Sequence, residues 1–170
     1  MTKHARIVLQ DCKYAISMHK NDSQAELFRI SWISVVTLLR AIGHVLRKVD
    51  SEESNEMKYA VDINWQALND TKPEPLIFWE FIVQERNRFL KNYEHGIVRT
   101  QTFPAVSDGI IEADMANSRG GKLIVEGAKI ESYIADGPFK GQNEKEVAWK
   151  AYDWWKKTLD EIDNIVKNTV

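Results

Sequence analysis

Glycine is scarce over most of this chain of 170 residues, since seven of its eight glycines lie between Gly96 and Gly141. Helix interiors tolerate glycine poorly, so the stretches on either side of that region are free to be helical. Cysteine is limited to Cys12, which cannot make an internal disulfide and suits a reducing compartment. The histidines His4, His19, His44 and His95 form no His-x-x-x-His pair, and one cysteine cannot build a zinc cage. No metal and no cofactor is expected. An excess of one charge is also missing: the formal net charge of −2 gives no whole-molecule attraction for nucleic acid or anionic membrane. Any nucleic-acid role must come from a local patch. Long apolar runs are absent too. Ile30 to Ile42 is short and carries Arg40, which argues against a membrane span, and Gln10, Asp11 and Lys13 interrupt any leader within Met1 to Lys20. A cytoplasmic protein with no membrane partner is expected.

What is present is ordinary globular material, 44% hydrophobic and 28% charged, and a length that fits one domain spanning residues 1–170. Residues Thr2 to His19 place Ala5, Val8, Leu9, Cys12, Ala15 and Ile16 on one face at helical spacing. Asn21, Asp22 and Ser23 offer an N-cap, and Ser23 with Glu26 has capping-box form. A second helix runs from about Gln24 to Val49, with Phe28, Trp32, Val35, Leu39, Ile42, Leu46 and Val49 as its stripe. Its wide apolar face predicts a central position, and Gly43 allows close packing. Met57, Val61, Trp65 and Leu68 mark a third helix, ended by Asn69 to Pro75. A fourth covers about Glu74 to His95, with Gly96 as its C′ residue.

From Ile97 to Gln142 the helical period is lost. Lys122 to Glu126 and Lys129 to Ile134 read as strands around a Gly127-Ala128 turn, with a further strand near Gly109 to Ala113. Asn143 with Glu146 then starts a fifth helix, whose stripe is Ala148, Tyr152, Trp155, Leu159, Ile162 and Val166. Trp149 and Trp154 fall off that stripe, where they either cover the β region or a partner or widen the core face. The fold class expected is mainly α: an antiparallel bundle of about five helices, with a small β-rich insertion at about 97–142 before the C-terminal helix.

Motifs narrow the chemistry by exclusion. Gly120-Gly121-Lys122 lacks the spacing and following hydroxyl of a phosphate loop, and no Gly-x-Ser-x-Gly elbow or cysteine-histidine signature occurs. Cys12 lies on the apolar stripe of the first helix, as a small buried thiol would. The second helix has no acidic residue from Leu27 to Val49, and Arg40, His44 and Arg47 share one face. That stripe is either a solvated polar face or a phosphate-contacting surface.

The most informative segment is the fourth helix. At about 100° per residue, Phe78, Phe89, Ile82, Tyr93, Trp79, Leu90 and Val83 share a face with Arg86 among them and Glu85 at the edge. Arg86 is therefore expected to be mostly buried and held by at least two hydrogen bonds, because an unpaired buried charge is costly.

Glu85-Arg86-Asn87 on the last long helix of an antiparallel bundle resembles the HEPN superfamily (higher eukaryotes and prokaryotes nucleotide-binding), whose signature is Arg, a polar residue and then His after four to six intervening residues. Arg86-Asn87 matches the first half, and Lys91 stands where histidine follows four intervening residues. Arg88 and His95 match Arg-x6-His, with Phe89 at the polar position. The resemblance implies a prokaryotic defence or toxin-antitoxin protein, a homodimer and metal-independent cleavage of RNA. Candidate catalytic residues are then Arg86, Asn87, Lys91 and His95, and Arg40, His44 and Arg47 are candidate nucleic-acid contacts. A non-catalytic module that dimerises or holds a partner protein is the rival reading. A homodimer is also expected from six tryptophans and an extra apolar face on the fifth helix.

Overall fold

The computed structural model describes residues 1–21, 24–102, 112–114 and 129–169, with backbone alone for 112–114. The architecture is mainly α. Helices α1 (Lys3–Met18), α2 (Ala25–Lys48) and α3 (Asn55–Asp70) are followed by a π-helical segment, Ile77–Val83, that runs directly into α4 (Gln84–Asn92). Strands β1 (Ile97–Thr102), β2 (Glu112–Asp114) and β3 (Lys129–Ile134) precede the long α5 (Glu144–Thr169).

Helix α2 is the hub because its apolar stripe is broad: Phe28, Trp32, Val35, Val36, Leu39, Ile42 and Leu46 are all buried. It packs against α1, α4 and α5, while α5 also closes on α1 and α3. Gly43 permits the α2–α5 approach, since a Cβ there would stand 2.9 Å from Cη2 of Trp155. Trp154 lies 5.3 Å from the Phe78 ring and 4.6 Å from that of Trp155, so it widens the core face of α5. Trp149 instead meets Tyr152.

Side chains distant in sequence hold both ends of α1. Buried Asp50 accepts from the backbone N–H groups of His4 and Ala5, each at 2.9 Å, and so caps the first turn. At the other end Lys145 donates to the carbonyls of His19 (2.8 Å) and Ser17 (3.3 Å), as a cation at a helix C-terminus should. Asp163 on α5 accepts from Thr2 N–H at 2.8 Å and from Arg6 at 2.8 Å.

The strands form one antiparallel sheet in the order β2-β1-β3, with Ile97 opposite Ile134 and Thr102 opposite Lys129. Strand β1 was not legible in sequence because Arg99 and Gln101 alternate inward with Ile97, which erases the apolar period. The expected strand near Gly109 to Ala113 overlaps β2, and that at Lys129 to Ile134 is β3. The Lys122 to Glu126 strand, the Gly127-Ala128 turn and the Ser23 cap lie outside the described residues. Asn143 caps α5, its side-chain oxygen accepting from the N–H groups of Lys145 (3.0 Å) and Glu146 (3.2 Å).

The fourth helix departs from expectation at both ends. Its first turns are π-helical, and it stops at Asn92 rather than His95, because Tyr93 takes the left-handed conformation at φ 57°. Tyr93 therefore plays the part expected of Gly96. The glycine answers a different need: a Cβ on Gly96 would overlap the Arg88 guanidinium and the Glu85 carboxylate.

Candidate nucleic-acid interface

The face that Phe78, Phe81 and Ile82 bury is continued by Glu85 and Phe89, not by Arg86 and Leu90. Glu85 is thus the buried charge of this helix. One of its oxygens accepts from the Trp32 indole N–H (3.2 Å) and the Gly96 amide (3.3 Å), and the other from Arg88 (3.4 Å). Arg88 in turn donates to both carboxylate oxygens of Asp136 at 2.9 Å. Burial raises the Glu85 carboxyl above its ordinary range, against the opposing pull of those donors. The expectation that at least two hydrogen bonds hold Arg86 is overturned. Arg86 is half-buried, and its hydrogen bond goes to the neighbouring Asn87 side-chain oxygen at 3.1 Å. A helix that was uniformly α through His95, with Leu90 and Tyr93 in its stripe, would turn Arg86 inward; instead its start is π-helical, it ends at Asn92, and both of those side chains are exposed.

Turned outward by its buried neighbour, Arg86 meets the cationic face of α2. Arg40 is held below its ordinary value by burial and then by the charges of Arg86 and Arg47. His44 is held down by burial, then by Arg40, Arg86, Arg47 and Lys48. The apolar stems have aromatic support: the Arg40 guanidinium carbon lies 5.7 Å from the Phe78 ring centre, and that of Arg47 lies 4.3 Å from Trp65. Among the described residues no carboxylate lies within ion-pair distance of Arg40, Arg47 or Arg86. Three guanidinium groups and an imidazole therefore act on one another with no paired carboxylate among the described residues, an arrangement suited to an oxyanion.

The other candidates separate from this cluster. Lys91 is exposed and stands about 140° round the helix from Arg86. His95, beyond the helix end, is half-buried near the rings of Phe28 (5.8 Å) and Phe89 (6.5 Å). Burial lowers its pKa first, and the largest charges acting on it are Arg99 and Arg29. Arg88, the other half of the Arg-x6-His match, is committed to Glu85 and Asp136. Comparison with family models, curated proteins and solved structures finds no match for this chain. Its site must be read from its own geometry.

Other polar clusters have structural duties. His4, Asp50 and Glu53 bring ligand atoms within 4.8 Å of one another, but both Asp50 oxygens already cap α1. A buried chain that sequence reading missed links Ser31 Oγ to His19 Nδ1 (2.7 Å), His19 Nε2 to Glu144 (3.3 Å) and the Ser132 hydroxyl to Glu144 (2.8 Å). Ser31 directs its proton to the Phe28 carbonyl at 2.9 Å, so its hydroxyl is not activated. The chain ties α2, β3 and α5 to the end of α1. Cys12 is buried in apolar surroundings that push its thiol up to about 12, which leaves it unreactive. No helix among the described residues is long and apolar enough to cross a membrane.

The charges around His44 give a direct test of the cluster. A histidine whose folded pKa is depressed contributes stability that is present above the unfolded value and lost as pH falls through the folded one. In an NMR titration its midpoint should lie below the free value of about 6.5, and Arg86→Ala should move it upward. An unchanged midpoint in that variant would mean that Arg86 does not stand beside His44.

Proposed function

We propose that this protein is a HEPN-like RNA-binding bundle, of the kind found in prokaryotic defence or toxin-antitoxin systems, which cuts RNA without a metal ion. The observation that carries the reading is the meeting of Arg86 with the acid-free face of α2 at Arg40, His44 and Arg47. Guanidinium groups match phosphate through paired, charge-assisted hydrogen bonds. Asn87 holds the Arg86 guanidinium from the side.

His44 then takes the part of the histidine that Lys91 replaces in the motif. Held neutral by the surrounding charges, it accepts the proton of the RNA 2′-hydroxyl as that oxygen attacks phosphorus. The bond from phosphorus to the 5′-oxygen breaks, a 2′,3′-cyclic phosphate remains, and the departing oxygen takes a proton from water. Arg86 and Arg40 stabilise the charge that develops on the phosphoryl oxygens. Labelled single-stranded RNA incubated with purified protein and chelator should be cut. Arg86→Ala should weaken RNA binding by roughly 10- to 100-fold, the worth of one charge-assisted contact, and His44→Ala should abolish cleavage while binding persists. Cleavage that survives both substitutions would mean that another site is responsible.

A second observation favours a homodimer. The tryptophans do not supply its surface, since Trp32 and Trp155 are buried and the other four are partly buried against the core. The apolar excess lies on α1 and α2, where Tyr14 (60% exposed), Met18 (74%), Leu27 (49%) and Ile30 (55%) stand in solvent. Tyr14, Met18, Leu27 and Ile30 line a groove of about 540 Å³ that also includes Asp11 and Lys20. Two copies related by a two-fold axis near Ala15 would set each Asp11 against the other copy's Lys20 around this apolar centre. Sedimentation should show a dimer that Asp11→Lys disrupts and that the Asp11→Lys, Lys20→Asp pair restores. A monomer throughout, or a dimer insensitive to both, would reject this face.

A further inference from the structure

The cationic face of α2 does not end at Arg40. Arg29 lies 11 residues earlier, about three helical turns and about 16 Å along the axis, and so on the same side of the helix. There it reaches the corner where α4 gives way to β1, its guanidinium carbon 5.6 Å from the Tyr93 ring centre. The Arg29 Nε is buried and has no hydrogen-bond partner among the described residues. Such an orphaned donor is costly unless something outside the chain satisfies it. Arg99, on the inward face of β1, stacks 4.2 Å from the centre of the Phe28 ring, which also lies edge-on to His95. His95 Nδ1 accepts from the Ile97 N–H at 3.3 Å. In the neutral ring that bond leaves the proton on Nε2, which is then a donor.

We propose that Arg29 and the Nε2–H of His95 form a second phosphate subsite, three turns along α2 from Arg40, so that one RNA strand runs along α2 from the Arg86 cluster to the α4–β1 corner. The inference rests on the RNA-binding reading for its ligand, while the subsite itself is defined by its own donors and would also take inorganic phosphate. Two subsites on one rigid helix explain why arginines recur on the same side of α2 at Arg29, Arg40 and Arg47 while its one acidic residue, Glu26, lies in the first turn. The arrangement gives a minimum ligand length, because a strand must be long enough to reach both clusters.

The test uses an RNA of about eight nucleotides, within the range that a single-strand groove takes up, and inorganic phosphate as the second probe. In Arg29→Gln, octamer affinity should fall about tenfold, and the salt dependence should become shallower by about 0.7, the contribution of one phosphate contact on a single strand. His95→Gln, which keeps a donor near Nε2, should retain most of the affinity. The His95 ring resonances of the wild type should move when octamer is added. Octamer binding that Arg86→Gln weakens and Arg29→Gln does not would overturn the subsite and leave the RNA reading standing. If the octamer does not bind, but inorganic phosphate moves the His95 resonances and Arg29→Gln removes that response, the subsite holds and the RNA reading falls. If neither probe moves His95, the subsite is overturned.

Discussion

Glu85 sets the phase of everything around it. Its carboxylate is buried at the junction of α2, α4 and β1, where the Trp32 indole, the Gly96 amide and Arg88 all donate to it. A carboxylate in such surroundings is tolerated only while those donors stay in place, since an unmade hydrogen bond at a buried charge costs several kcal/mol. Gly96 is held against it by the lack of room for any Cβ, and Arg88 extends the link to Asp136 after β3. The helix cannot rotate without breaking all of these at once. Arg86, the next residue, is therefore directed to the cationic side of α2.

That placement has an energetic cost that the rest of the bundle must carry. Arg40 is partly buried beside two other arginines, and burial and like charge both act against it. The aromatic rings of Phe78 and Trp65 offset part of this through contact with the guanidinium groups of Arg40 and Arg47. Helix α1, clamped at its ends by Asp50 and Lys145, supports the opposite side of α2 and leaves Tyr14, Met18, Leu27 and Ile30 outside. One face of α2 thus collects positive charge along its length, while another presents an apolar surface near its start. The proposed RNA contact and the proposed dimer contact use different sides of the same helix.

Much of this was readable from residue spacing. The limits of α1, α2, α3 and α5 follow from apolar stripes that bury as the 3.6-residue period requires, and the charge stripe of Arg40, His44 and Arg47 was visible because no acid interrupts it. Helix α4 was the exception. A π-helical start shifts the angular count in a way that residue types do not announce, and Tyr93 ends the helix in a conformation that glycine ordinarily takes. Between them these features exchanged the roles of Glu85 and Arg86. They also carried His95 away from Arg86 and toward Arg29 and Arg99. Strand β1 was hidden by its inward Arg99 and Gln101, and Arg99 joins Arg29 among the charges that act on His95 at the corner. The meeting of Arg86 with His44 depends on how two helices are packed, which no local pattern encodes.

The central claim is that Arg86 and the α2 arginines receive a phosphodiester, and a crystal structure of the protein with a cleavage-resistant 2′-deoxy analogue of a short RNA tests it most directly. The account predicts a backbone phosphate hydrogen-bonded by Arg86 and by Arg40 or Arg47, with the His44 ring beside the sugar that would carry the 2′-hydroxyl. An oligonucleotide bound elsewhere, with Arg86 turned to a protein carboxylate, would contradict it.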